Sequence, residues 1–352
     1  MSGQDRPSTP ATIHDVARVA GVSIGTVSRI INRRGRARGE TEQRVNAAIA
    51  TLGYRVNGIA RSMRTQSTRT VALLVHDIAN PVFSIAARAA QAVFEQADYL
   101  LVVASAGSGS GGEAPTIRRL NERRLEGLIG FLSREDDAEA IAALSDFGGA
   151  VVIFDRTIDL NADVLLTDHA GGVMRATRHL IDLGHRDIAY IGGAINLLPG
   201  RERVRGFVEA FEAAGLPVPH QLIRNQTLDA AYGFREASSM LFDRDAAPTA
   251  FVAGGNQLLK GVLAAVRAAQ LTVPRDVSLV GFDDSGVARL ATPPITVIAR
   301  DVPQMGTIAA QMLLERLRLG PQAPARKVVL PTQVILRDSC APPPRRDPRP
   351  IV

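Results

Sequence analysis

The chain has 352 residues, 46% of them hydrophobic and 22% charged, with a formal net charge of +6. That length suits two or three domains with sizeable cores, and the composition excludes a disordered, collagen-like or disulfide-rich protein. The charge is concentrated in one place: residues 1–69 hold 12 Arg against 4 acids, a net of +8, while the remainder nets −2. A basic head on a near-neutral body points to a polyanion as the partner of the head. Only Lys260 and Lys327 among the basic residues are lysine, a bias that a GC-rich genome explains without reference to function. Cys340 is the lone cysteine, so no disulfide framework and no Cys-based zinc site is expected. Met1 to Thr12 is polar and Pro-containing, which argues against a cleavable secretory signal. There is no run of about 18 apolar residues for a membrane span. The cytoplasm is the expected compartment.

Residues 1–11 read as a disordered lead-in. Three short helices follow within residues 12–56. Thr12 suits an N-cap with Asp15 as its capping-box partner, and Val16, Val19 and Ala20 form the apolar stripe. Gly21-Val22 makes the turn, and Ser23 caps a second helix running through Asn32 with Val27, Ile30 and Ile31 inward. A basic loop, Arg33 to Gly39, leads to a third helix from Thr41 to Leu52 on Val45, Ala48, Ile49 and Leu52. Residues 56–69 are a linker with a helical middle, Asn57 to Arg64.

From Thr70 onward, apolar runs alternate with amphipathic helical patterns. The expected strands are Val71–Val75, Tyr99–Ala104, Gly127–Leu132, Ala150–Phe154, Val164–Thr167, Asp187–Ile191, Ala250–Ala253, Val277–Phe282 and Val328–Leu336. Near-continuous Val/Ile/Leu strands between helices predict parallel sheets covered on both faces. So many strands in about 270 residues divide better into two doubly wound lobes than one. The last residues, 341–352, read as a disordered Pro/Arg tail.

Two helices joined by Gly21-Val22-Ser23 fit a helix-turn-helix. In that geometry the second helix enters the major groove, where Arg29 can offer two donors to guanine and Ile24 can touch a thymine methyl. Gly25 faces the same way but carries no side chain to read with. Any three-helix bundle has such a turn; the local excess of arginine tips the reading toward DNA.

The run from Thr12 to Asn32, with Glu40-Thr41, Leu52-Gly53-Tyr54 and Asn57-Gly58-Ile59-Ala60-Arg61-Ser62-Met63-Arg64, resembles the signature of the lactose-repressor (LacI/GalR) family. Further landmarks are Asn80-Pro81-Val82-Phe83, Leu183-Gly184-His185-Arg186, Arg201-Glu202-Arg203 and Val280-Gly281-Phe282-Asp283-Asp284, so the likeness spans nearly the whole chain. The resemblance implies an N-terminal all-α helix-turn-helix domain plus an α/β body of two doubly wound parallel-sheet lobes, periplasmic-binding-protein-like and crossed by three strands. It implies a homodimeric repressor on a double-stranded, pseudo-palindromic operator. Base edges would be met by Ile24, Gly25 and Arg29. Phosphates would be held by Thr12, Ser23, Thr26, Ser28, Asn32, Tyr54 and Asn57. Residues 57–69 match the hinge helix and linker, with Ala60 among the contacts and Met63 either wedged into the central base step or packed between paired hinge helices. Where the family has a Ser-Pro entry to the third helix, this chain has Arg38-Gly39. The arginines of that loop either hold phosphates or form a solvated charge run.

For the body, residues 70–340, the expectation is an effector-binding and dimerisation domain. Its first lobe spans about 70–164 and 296–324, its second about 165–295 and 325–340. Ligands of open α/β sheets bind beyond the carboxyl ends of the strands, which is where Asp77, Phe83, Asp155, Thr167, Asn256 and Asp283 fall. The resemblance adds Arg201 as the arginine that grips the effector and Leu228 where an aromatic often stacks on a sugar. Asn256 stands where the family commonly has Asp. A lost carboxylate and a lost stacking ring, beside a retained arginine, move the expected effector toward an anionic or sugar-acid-like metabolite. Gly107-Ser108-Gly109-Ser110-Gly111-Gly112 contains GxGxxG after a strand. Pro115 interrupts the entry to the next helix and no acid follows at the right distance, so the stretch reads as a flexible loop. No catalytic residue, cofactor, metal cluster or membrane partner is expected. The alternative is a solute-binding or enzymatic body carrying a decayed head.

Overall fold

A computed structural model describes residues 11–31, 39–54, 67–106, 112–242, 247–320 and 322–344. The lead-in to Pro10, the basic loop from Arg33 to Arg38, the hinge stretch Asn57 to Arg64, the Gly/Ser run 107–111 and the tail beyond Pro344 lie outside the described residues. The chain forms two compact units, Met1–Thr68 and Arg69–Val352.

The first unit holds α1 (Ile13–Ala20), α2 (Ile24–Ile31) and α3 (Gly39–Leu52). The Thr12–Asp15 capping box forms at the start of α1, and Gly21 ends that helix at φ 64°, a left-handed turn that favours glycine. The Thr26 N–H donates to Ser23 Oγ at 3.2 Å, so Ser23 caps α2. Val16, Ala17, Ala20, Val27, Val45 and Ala48 form the core, with Ile30, Ile31, Ile49 and Leu52 packed on it. Val19, expected inside, is 53% exposed. The stripe of α1 starts at Ile13 and runs i, i+3, i+4, i+7 through Val16, Ala17 and Ala20, which leaves Val19 off the face.

The second unit is two doubly wound lobes. The first contains β1 (Thr70–Val75), α4 (Pro81–Gln96), β2 (Leu100–Ser105), α5 (Ala114–Glu122), β3 (Gly127–Gly130), α6 (Ala138–Ser145), β4 (Ala150–Phe154) and β5 (Asp163–Thr167). The second contains α7 (His169–Asp182), β6 (Ile188–Gly193), α8 (Leu198–Ala213), β7 (Ile223–Gln226), α9 (Ala230–Phe242), β8 (Ala250–Ala253), α10 (Asn256–Ala268), β9 (Ser278–Phe282), α11 (Gly286–Leu290) and β10 (Thr296–Ala299). The chain then returns to the first lobe for α12 (Val302–Leu319) and β11 (Lys327–Leu330), and ends in the second with β12 (Gln333–Ile335). Strand orders are β11-β5-β4-β3-β1-β2 and β12-β10-β9-β8-β6-β7, parallel throughout except for the β10–β12 pair.

The reason for this layering is visible in single strands. Val71, Leu73 and Val75 of β1 join a core with α4 and α12, while Ala72 and Leu74 join one on the opposite face with α5 and α6. Alternate side chains enter alternate cores, so every position is apolar. Three strand ends cross between lobes, after β5, β10 and β11. The expected strand Val328–Leu336 is really two strands in different sheets, interrupted at Pro331-Thr332 by the crossing. β7 and β10 were not foreseen. With β10 in the second sheet and β11 in the first, the lobe boundaries expected at 296 and 325 fall near 300 and 331 instead. The buried Asp163 carboxylate holds Arg316 of α12 at 3.0 Å and Arg326 before β11, fastening the returning segment to β5.

Candidate functional site

In the first unit, α2 presents an exposed face. Ile24 is 41% exposed, and Gly25 and Arg29 beside it are exposed too. Arg29 lies back along its own helix, with Nε 3.4 Å from the Gly25 carbonyl and Nη2 3.4 Å from Thr26 Oγ1. These are long bonds that a base edge can replace. Thr12 and Ser23 are exposed at the starts of α1 and α2, Thr26 and Ser28 are half-buried, and Tyr54 is half-buried against the small core. Asn32, Asn57, Ala60 and Met63 lie outside the described residues.

In the second unit, the carboxyl ends of the two sheets face one cleft. The cleft and the solvent at its mouth together span about 790 Å³. The first lobe contributes His76 and Asn80 after β1, Val82 and Phe83 of α4, Phe131 after β3, and Asp155-Arg156 after β4. The second contributes Gly193-Ala194 after β6, the start of α8, Arg203, Leu228, Gly255-Asn256 after β8, and Asp283 after β9. Both sets lie at the points where strand order reverses, the usual ligand position of such sheets. Gly200 is required there: a Cβ would come within 2.0 Å of the Ala194 carbonyl oxygen, so glycine lets α8 start against the β6 loop.

Arg300, which follows β10, organises the base of the cleft. Its Nε and Nη2 donate to the two oxygens of Asp283 at 2.8 and 3.0 Å, and Nη1 donates to Asp155 Oδ2 at 3.0 Å. Asp155 also accepts from the Thr167 N–H at 2.8 Å and from its hydroxyl at 3.2 Å. Both aspartates sit at positive φ, 48° and 66°, a conformation short polar side chains tolerate when partners hold them there. Burial alone would raise the Asp155 carboxyl, but His169, Arg300 and Arg203 around it hold it well below the usual range.

Arg203 stands beside this group with only 5% of its surface exposed. Its Nη1 donates to the Gly254 carbonyl at 2.5 Å, its Nε to His169 Nδ1 at 3.2 Å, and its plane lies 3.7 Å over the Phe282 ring. Burial pulls its pKa down to about 10, so it stays charged at neutral pH. Because His169 Nδ1 accepts that bond, the ring carries its proton on Nε2, which lies 3.2 Å from Asp155 Oδ2. A second proton on Nδ1 would oppose the guanidinium; burial and Arg203 therefore overcome the pull of Asp155 and bring His169 down to about 4.

Of the sequence-predicted cleft residues, Phe83, Asp155, Leu228, Asn256 and Asp283 line the cleft. Thr167 stands behind Asp155 as its hydrogen-bond donor. Asp77 is exposed outside the cleft, closing a turn with the Ala79 N–H at 2.9 Å. Arg201 is corrected: it does not line the cleft but pairs at the rim with Glu135 of the first lobe at 2.7 Å, and Arg203 is the arginine inside. Helical phase was the missed signal. Arg203 shares its face with the buried Gly206, Phe207 and Ala210, whereas Arg201 is out of register with them. Nor is the aromatic content lost, because Phe131 stacks on Phe154 at 4.2 Å and meets Phe83 edge-on at 4.8 Å. Arg300 was missed because its strand was missed.

The comparisons agree with both units. Residues 12–57 match the family model described as bacterial regulatory proteins, lacI family, and residues 177–340 match a periplasmic binding protein-like domain. The HTH-type transcriptional regulator DegA of Bacillus subtilis is 31% identical over 336 residues, 94% of this chain and 98% of that one. The chain belongs to the lacI family. Another member, the transcriptional repressor PurR of Glaesserella parasuis, is 30% identical over 320 residues, 90% of this chain and 93% of its own. Among solved structures, the lac repressor dimer bound to operator and the anti-inducer ONPF superposes with a TM-score of 0.83 at 26% identity, covering 95% of this chain and 100% of that one. The regulator CelR in complex with cellobiose superposes with a TM-score of 0.70 at 29% identity, covering 94% and 99%. A lacI-family member is a DNA-binding transcriptional regulator with a ligand-binding body, and its relatives here are regulators rather than enzymes. No helix among the described residues is long and apolar enough to cross a membrane.

Proposed function

We propose that this chain represses transcription as a cytoplasmic homodimer on a pseudo-palindromic operator, and that an anionic small molecule in the interlobe cleft controls it. The observation that carries the ligand reading is that the cleft's two carboxylates are already neutralised by Arg300, while Arg203 and Arg156 keep guanidinium donors without a partner. Asn256 Oδ1 is an acceptor left free in the lining among the described residues. Asp155 and Asp283 are committed to Arg300, with Thr167 and His169 also on Asp155. Arg203 Nη2 makes no hydrogen bond among the described residues, and Arg156 Nε is buried without a partner. The cleft is also lined by the first residues of α10, whose N-cap Gly255 has no side chain to cap it, so one helix N-terminus adds positive potential. The start of α8 is already met by the Glu135 carboxylate. A ligand that brings lone pairs and negative charge satisfies such a site more fully than a neutral sugar, whose hydroxyls can accept from the arginines but bring no charge to them.

On the DNA side, the exposed face of α2 supports Arg29 and Ile24 as base readers and Thr12, Ser23, Thr26, Ser28 and Tyr54 as phosphate contacts. Asn32, Asn57, Ala60 and Met63 are assigned by resemblance. Self-pairing is supported by the edge strand β2, where Leu100 is 63% and Val103 39% exposed.

Palindromic duplexes selected from a random pool, titrated by fluorescence anisotropy over a range of salt, test the head. Affinity falls linearly with log salt, and Arg29→Ala costs about 1–3 kcal/mol of discrimination at one base pair per half-site. An unchanged base preference in that variant sinks the groove assignment. Calorimetry with acidic and neutral ligand panels tests the body, and tight binding only to neutral sugars overturns the anion reading.

A further inference from the structure

We infer that the cleft takes a flat-ring acid, an aromatic or heteroaromatic carboxylate of one or two rings, rather than a polyhydroxylated acid. The inference rests on the anionic-ligand reading and adds what the rest of the molecule must be. Away from the arginines the walls are apolar. Val82, Phe83 and Phe131 form the first-lobe wall, and Leu197, Pro199 and Leu228 the second. Phe131 is clamped between its stack on Phe154 and the edge of Phe83, which makes that wall a rigid aromatic block. Opposite, Leu228 remains 42% exposed. A Cβ at Gly193 would lie 2.7 Å from Leu228 Cγ, so the leucine lies directly on the glycine backbone. Two apolar walls, one held by a strand and one by a glycine, make a slot for a planar apolar body.

The polar groups point the same way. A sugar acid carries a hydroxyl on nearly every carbon, and each one buried without an acceptor forfeits its bond to water. Here the two carboxylates are held by Arg300, and Asn80 Oδ1 already accepts from the Val82 N–H at 3.2 Å and from Asn256 Nδ2 at 3.0 Å. Asn256 Oδ1 is left as an open side-chain amide acceptor, fewer acceptors than a hydroxyl on nearly every carbon needs. A ring acid brings its lone pairs at one end and C–H elsewhere. Its carboxylate belongs between Arg156 of the first lobe and Arg203 of the second, where it would tie the lobes together. Its ring belongs in the slot, between the Phe83–Phe131 wall and Leu228.

Calorimetric titration of the full chain with benzoate, indole-3-acetate, gluconate, benzyl alcohol and glucose tests this. At least one ring acid is expected to bind about tenfold or more tightly than gluconate and benzyl alcohol, the ratio a lost charged hydrogen bond or a mismatched polar burial produces. Gluconate binding as tightly as both ring acids overturns the inference and leaves the anion reading standing. Benzyl alcohol binding as tightly as benzoate overturns both, as does failure of every acid to bind. Two variants separate the parts. Leu228→Gln, at a half-exposed position, lowers ring-acid affinity about fivefold or more while leaving the thermal melt of the free chain in place. Arg156→Met lowers binding of every acid. Unchanged ring-acid affinity in Leu228→Gln, with an intact melt, removes the slot from the argument.

Discussion

The rim and the base of the cleft both join the lobes through charge, but they do it under different dielectric conditions. At the base, Arg300, Asp155 and Asp283 each expose 9% or less of their side chains. At the rim, Glu135 of the first lobe accepts from the Leu198 N–H at 2.9 Å, the Thr157 N–H at 3.2 Å and Arg201 Nη1 at 2.7 Å, while 38% of the Arg201 side chain is exposed. Leu197 cannot cap α8, so a carboxylate from the opposite lobe does it. The difference teaches that the base is a fixed joint and the rim a clasp. The Glu135 side chain is itself only 9% exposed. Opening the rim nevertheless frees the half-exposed Arg201 into water and uncovers the carboxylate at little cost, whereas opening the base strands both partners in a low-dielectric interior.

The largest expected effect comes from breaking the base. Arg300→Met leaves two buried carboxylates without their cation and should destabilise the body by about 3–5 kcal/mol, read from urea unfolding of the full chain. A loss below about 1 kcal/mol would make base and rim equivalent.

The second effect is on pH. His169 is neutral in the fold with a pKa brought down to about 4, while an unfolded histidine titrates near 6.5. Between those values the unfolded chain binds more protons, so stability rises with pH through this window and is lost as pH falls through it. The drop is on the order of 3 kcal/mol if the whole shift is expressed. Burial moves His185 in the same direction. Urea midpoints at several pH values between 7 and 4.5 measure it. His169→Gln should flatten the slope, and an unaltered slope would remove His169 from the joint.

The smallest stability effect belongs to the rim. Glu135→Gln and Arg201→Ala should each cost about 1 kcal/mol or less in urea. Their signature is kinetic: faster ligand release in stopped-flow measurements, with the two changes non-additive in a double-mutant cycle. If Arg201→Ala abolished ligand binding outright, Arg201 would be a direct ligand contact and the clasp reading would fail.

Much of this molecule is legible in its residues. Thr12 with Asp15, Gly21 and Ser23 announce two capped helices because caps and left-handed turns are local chemistry. Asp155, Asn256 and Asp283 could be placed in the cleft because doubly wound sheets present their carboxyl ends to ligands. The failures have local causes as well. Val328–Leu336 looks like one strand, yet its two halves serve different sheets, since apolar alternation does not record a partner. Leu228 was read as the loss of an aromatic platform, while the platform stands on the other lobe at Phe83 and Phe131, remote in sequence.

By itself, then, the sequence determined the two kinds of unit, the reading face of α2, the alternation that yields parallel sheets, and the family. Each depends on contacts within a few residues or on a periodicity. Only the tertiary structure decided which arginine enters the cleft, that Arg300 consumes two of its carboxylates, and that Glu135 caps α8 across the lobes. Those facts depend on groups far apart in the chain, such as Asp155 and Arg300, meeting in one buried volume. Whether a charge is free or spent there is set by its neighbours in space, which no local pattern encodes.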